Sequence, residues 1–153
     1  MDPKYITIHC SATRPLNTID VSTIRKWHLD RGWSDIGYHF VITTDGVVQA
    51  GRKLSRIGAG VKGHNQDNIH ICMIGGIDNH GKSVDSFTSS QWEALEYLVS
   101  ELAGNYCIPK ADIKGHRDWF PDKNGDGILD RRDWLKDCPC FNVADKVREW
   151  GIE

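Results

Sequence analysis

The sequence predicts an α/β fold in which one β-sheet is covered by two or three helices. Three observations lead there. Short runs rich in strand formers alternate with segments whose apolar residues recur at three- and four-residue spacing. Two of the strand-like runs flank a tight Asp45-Gly46 turn. The 153 residues are the length of one ordinary domain, without a linker, repeat or low-complexity segment, so a single core is expected over 1–153.

Tyr5 to Cys10 alternates in bulk and is rich in strand formers, which places His9 near the C-terminal end of a first strand; Ser11-Ala12-Thr13-Arg14-Pro15 breaks it. Val21, Ile24, Trp27 and His28 then fall at helical spacing, with Asp20 as N-cap and Gly32 as stop. Gly37 to Thr43 and Val47 to Ala50 make the hairpin. Gly51 to Asn68, rich in Gly, Lys and Arg, is a long surface loop of the kind that tends to carry function. Ile69 to Ile74 is a nearly continuous apolar run ended by Gly75-Gly76, a strand buried on both faces, with His70 the odd member. Thr88 and Gln91 form a capping box, and Phe87 can pack on Trp92 as a hydrophobic staple. Leu95, Leu98, Val99 and Leu102 follow as one stripe of a helix that is expected to stop by Gly104. Ala111 to Gly115 reads as a short last strand that delivers His116, and Asn142 to Trp150 as a helix closed by Gly151.

The formal charge is -2 with both signs interspersed, so no broad positive field advertises nucleic acid, and a protein partner such as a polymerase is left open. The five cysteines are odd in number and three lie in or beside apolar runs, a pattern that suits reduced thiols and a metal site better than a disulfide framework. No basic-then-apolar leader opens the chain, and no apolar run approaches the ~18 residues of a membrane span. Synthesis in the cytoplasm without a signal peptide is expected, with no membrane insertion.

Chemistry concentrates between Gly115 and Phe141. His116 stands near one end and Lys136-Asp137-Cys138-Pro139-Cys140 at the other, and His9 is a third candidate ligand from far upstream. Two imidazoles and a thiolate make a reasonable zinc site. Either Cys138 or Cys140 can supply the thiolate, but hardly both without a tight turn. Between these ends, Asp122, Asn124, Asp126, Ile128 (through its carbonyl), Asp130 and Asp133 fall at the oxygen-ligand positions of an EF-hand-like loop over 122–133, with Gly127 at the turn. The usual final Glu is the shorter Asp133. Calcium is the expected ion, holding the insertion so that Lys136 and Cys138 meet the zinc.

Five segments come in the order and at roughly the spacing of one family: His9-Cys10-Ser11-Ala12-Thr13, Gly32 to Phe40, Gly75-Gly76-Ile77-Asp78, Gly115-His116-Arg117-Asp118 and Lys136-Asp137-Cys138-Pro139. From about Tyr5 to its C-terminus the chain resembles the type 2 N-acetylmuramoyl-L-alanine amidases, which include phage lysozymes of the amidase kind and the peptidoglycan recognition proteins. The resemblance implies a central mixed sheet flanked by helices, with one zinc at the floor of a surface groove. It implies hydrolysis of the amide joining the lactyl group of N-acetylmuramic acid to the L-alanine of the peptide stem. Carried over position by position, the ligands are His9, His116 and Cys138, the last because the family's cysteine directly precedes the proline. Tyr38 and Lys136 are then the catalytic side chains, Lys136 to place its ammonium against the developing oxyanion and Tyr38 to orient the attacking water or trade a proton with it.

One departure stands out. The family usually has a histidine where this chain has Gly60, and a small residue where it has His70. A reshaped groove or lower turnover is expected, with His64 a candidate to stand in; Arg52, His64 and Asn65 are the residues of this region expected to touch substrate. The leading reading is an endolysin-like enzyme acting on peptidoglycan at the cell wall or in the periplasm. The rivals are a cytosolic muropeptide-recycling amidase and a non-catalytic peptidoglycan-binding or regulatory protein, the latter disfavoured by the presence of all five site residues.

Overall fold

Strands of this chain find their partners across long sequence separations. The computed structural model describes residues Met1–Glu153. Its strands are β1 (Tyr5–Cys10), β2 (Phe40–Ile42), β3 (Val48–Ala50), β4 (Asn68–Met73) and β5 (Ile113–Gly115), and its helices α1 (Val21–Asp30), α2 (Ser89–Tyr106) and α3 (Val143–Glu149). They form one five-stranded sheet in the order β3-β2-β4-β1-β5. All neighbours are parallel except the β2–β3 hairpin, which makes the sheet mixed. The first strand is therefore interior, flanked by β4 and β5.

Side-chain alternation sorts the two faces of the sheet. Ile6 and Ile8 of β1 and Ile69, Ile71 and Met73 of β4 join Leu95, Val99 and Leu102 of α2 and Val143 and Val147 of α3 in the larger core. A smaller cluster on the other face holds Ile24 of α1, Val41 of β2 and Cys72 of β4. His9 and His70 alternate onto that second face, and both are fully buried. Three layers result, with the imidazoles on the α1 side. No helix is long and apolar enough to cross a membrane.

Local signals fix most element ends. Asp20 caps α1 by accepting from the Thr23 N–H, and Thr88 and Gln91 exchange both bonds of the capping box at the start of α2. Phe87 and Trp92 meet edge to face, 5.7 Å between ring centroids. Gln91 is buried, and its amide donates to the carbonyls of Ile42 and Ile74, tying α2 to the ends of β2 and β4. The helix does not stop at Gly104, as the sequence suggests, but runs to Tyr106. Cys107 takes the left-handed cap with φ 54°. The Ile108 N–H then bonds the Ala103 carbonyl at 2.9 Å and the Ile108 side chain enters the core, so the stop is set by burial of Ile108. At the start of the expected last strand, Ala111 belongs to a 3-10 turn, Lys110–Asp112, and only Ile113–Gly115 pair with β1.

Candidate active site

Three elements deliver three ligand-type side chains to one point. His9 sits near the end of β1, His116 directly follows β5, and Cys138 lies in the turn before α3. His9 Nδ1 is 3.2 Å from His116 Nδ1 and 3.9 Å from Cys138 Sγ. One ligand atom from each lies within 4.8 Å of the others, the only such gathering of three His, Cys, Asp or Glu side chains in the molecule. Burial, and then the charges of His70, His116 and Lys136, push the pKa of His9 well down. His116 is held at about 4 by burial and by Lys136. Both imidazoles are thus neutral at ordinary pH, the state a metal ligand needs. The Cys10 N–H donates to Cys138 Sγ at 3.2 Å, which holds that sulfur against the end of β1. Two neutral nitrogens and a sulfur at one point fit a zinc ion.

Cys138 and Cys140 turn in different directions about a cis Cys138–Pro139 peptide bond. Cys140 Sγ lies 3.6 Å from Cys10 Sγ and 3.2 Å from the Gly76 carbonyl, away from the imidazoles. Its contact with Cys10 and its burial push its pKa far up, and contact with Cys138 followed by burial raises that of Cys10 to about 12, so both remain thiols.

Two of the three, His116 and Cys138, open onto a groove of about 240 Å³, with His9 buried beneath it. Tyr38 and Lys136 line it, as do Trp27, Arg31 and Trp33 from the end of α1 and the turn beyond. The Tyr38 ring centroid is 4.9 Å from that of His9. Burial pushes the phenol pKa well up, so Tyr38 stays protonated. Larger depressions, about 510 and 530 Å³, lie by the C-termini of α2 and α3, away from this cluster.

A sequence profile described as N-acetylmuramoyl-L-alanine amidase matches residues 1–132. The chain belongs to that family. The endolysin of Enterobacteria phage K11 is 40% identical over 141 residues, covering 92% of this chain and 83% of the phage protein. Among solved structures, the N-acetylmuramoyl-L-alanine amidase LysC from Clostridium intestinale URNW superposes with a TM-score of 0.76 at 25% identity, covering 99% of this chain and 87% of that one. Drosophila PGRP-LB shares the fold at 23% identity, with a TM-score of 0.70 over 98% of this chain and 83% of its own. The profile match ends short of Lys136 and Cys138, so their place at the site rests on the geometry above.

The amidase braces the turn that bears Cys138 with residues to which no motif of the sequence assigns a role. Arg117 donates to Asp137 at 2.7 Å, and its guanidinium lies 4.0 Å over the Trp134 ring. The Arg117 N–H also bonds the Cys138 carbonyl at 2.9 Å, and Ser83 donates to Asp137 at 2.6 Å. Their only sequence signal is that Arg117 and Asp137 each neighbour a candidate ligand. The residues expected to touch substrate sit elsewhere. Arg52 is buried, and its guanidinium donates to the carbonyls of Ile36, Ile57 and Asp35. Asn65 accepts from the N–H groups of Gly60 and Val61, holding the loop. His64 packs against Trp119, with centroids 4.5 Å apart. None of the three lines the groove of the amidase.

The 122–133 loop has the expected turns but supplies its own cation. Asp122 accepts from Gly125 and Gly127, Asn124 from Asp126, and Asp126 from Ile128. Asp133 is buried and accepts from Lys123 and Asp130. The Arg132 guanidinium bridges Asp126 and Asp130, 2.7 Å from each.

Proposed function

We propose that this amidase is a zinc-dependent hydrolase of cell-wall peptidoglycan that cuts between N-acetylmuramic acid and the L-alanine of the stem, with His9, His116 and Cys138 as the metal ligands. The observation that carries the reading is the meeting of the His9 and His116 Nδ1 atoms and Cys138 Sγ beneath a groove that also presents Tyr38 and Lys136. Zinc bound there supplies a Lewis acid for the scissile carbonyl and a water made acidic enough to attack at neutral pH. Tyr38, kept as a phenol by burial, donates a hydrogen bond to the attacking water or the carbonyl oxygen. The exposed Lys136 ammonium, whose charge is felt at both imidazoles, stabilises the oxyanion as it forms. The indoles of Trp27 and Trp33 offer an apolar wall to the substrate.

The endolysin of phage K11 supports action on intact wall rather than on soluble muropeptides. The loop over 122–133 is proposed to take calcium in exchange for the Arg132 guanidinium, through Asp122, Asn124, Asp126, the Ile128 carbonyl, Asp130 and Asp133.

Purified Gram-negative sacculi treated with zinc-loaded protein, chelated protein and a Cys138→Ala variant test the main reading. Free peptides beginning with L-alanine, identified by mass, are expected from the zinc-loaded wild type alone. Intact sacculi that stay uncut while soluble anhydro-muropeptides are cleaved would transfer the activity to recycling. Sacculi bound but uncut by zinc-loaded protein would sink the enzymatic reading.

A further inference from the structure

β4 is buried along its whole length and yet carries an imidazole in its apolar run. His70 Nδ1 lies 3.0 Å from His9 Nε2, the nitrogen of His9 that faces away from His116 and Cys138. The backbone N–H of His70 donates to His39 Nδ1 at 3.0 Å, and His39 Nε2 lies 2.9 Å from the Arg56 carbonyl. A carbonyl only accepts, so His39 carries its proton on Nε2 and leaves Nδ1 free to receive the His70 N–H. His70 Nε2 is buried without a partner.

Room for the His70 ring comes from the loop opposite. A Cβ at Gly60 would stand 2.5 Å from His70 Nδ1 and 2.8 Å from His9 Nε2, at the contact itself, and one at Gly58 would stand 2.7 Å from His70 Cδ2. Neither glycine has a positive φ, so the torsions do not demand glycine there; the rings of His70 and His9 do at Gly60, and those of His70 and His39 with the Gly37 carbonyl at Gly58. Asn65 Oδ1, 2.9 Å from the N–H groups of both Gly60 and Val61, holds the loop at that distance.

An imidazole that ligates through Nδ1 carries its proton on Nε2, and at His9 that atom faces His70 Nδ1 at 3.0 Å. We propose that His70 is a positioning residue that accepts the Nε2–H of His9, fixing the tautomer and ring angle that turn His9 Nδ1 toward the metal, and that Gly60 is glycine to admit it. This rests on the zinc reading above. The proton then resides on His70 Nε2, the atom without a protein partner.

Zinc affinity by chelator competition, together with ¹⁵N NMR of the histidine rings, tests the proposal. His70→Leu, which fills the space without an acceptor, is expected to weaken zinc binding about 10–100-fold, and His70→Asn, whose Oδ1 can accept the same proton, to recover most of it. In zinc-loaded wild type the His9 Nε2–H is expected to couple across the hydrogen bond to His70 Nδ1. That measurement decides the matter alone if the leucine variant does not fold. Equal affinities in all three proteins, equal losses in both variants, or a proton on His70 Nδ1 in loaded wild type would overturn the role of His70 and leave the zinc reading standing. A wild type that binds no zinc would overturn both.

Discussion

At the scale of single residues, the turn that bears Cys138 depends on one ion pair. Arg117 and Asp137 have side chains only 11% and 26% exposed, so their 2.7 Å contact is little screened by solvent. Because Arg117 also bonds the Cys138 carbonyl through its N–H, the pair fixes the spacing between the segment bearing His116 and the one bearing Cys138. Arg117→Met keeps the length of the side chain and removes the charge. It is expected to cost roughly 1–3 kcal/mol in the metal-free protein and to weaken zinc binding, read by denaturant unfolding and chelator competition. Wild-type values in both measurements would remove the brace from the account. His9, His116 and Cys138 come to notice through motifs in the register of the amidase family; singly, each histidine reads as a structural residue, and Cys138 competes with Cys140. The sequence hides the pairing of Arg117 with Asp137, since a contact across 20 positions leaves no local pattern. His70 was visible as a polar member of an apolar run, but its partner was not, because contact with His9 exists only once β1 and β4 are paired.

At the scale of elements, what is local was legible and what is tertiary was not. The cap of α2 is written in Thr88 and Gln91, three residues apart. Its end is written in the burial of Ile108, which no run of neighbours announces. The 122–133 loop is the sharper case. Alternate oxygen ligands and glycines are plain in its sequence, and the turns form as expected. Arg132, however, sits where the pattern specifies nothing, and its guanidinium holds the Asp130 carboxyl at about 2. Calcium at this loop has to displace that guanidinium. Calorimetry with metal-free protein is expected to show tighter calcium binding by Arg132→Ala than by wild type, and no heat from either at about millimolar calcium would dismiss the site.

For the molecule as a whole, five of the seven histidines, His9, His28, His39, His70 and His116, are held below the ordinary imidazole value of 6.5, with burial the largest cause in each. Unfolded, they take up protons near 6.5; folded, His28 and His116 resist until about 4 and His70 until about 3. The unfolded chain binds more protons in that window, so their contribution is full above 6.5 and drains away as pH falls toward 4 and below. The denaturant midpoint of metal-free protein is expected to fall between about pH 7 and about pH 5, and His28→Asn, which keeps an acceptor for the Gly37 N–H, to reduce the fall. An unchanged midpoint would contradict the neutral burial described here. Strand order, by contrast, could not be read from residues. β1 pairs with β4 and β5, whose registers begin at Asn68 and Ile113, and a one-dimensional pattern does not choose between neighbours so far apart. That interior position of β1 also bears on biosynthesis. A ribosome that has released the first strand has released His9 but neither flank of its sheet, and the cluster stays open until Cys138 has left the exit tunnel. Until then the residues proposed to hold the metal are not together, so hydrolysis waits on synthesis of the segment that bears Cys138.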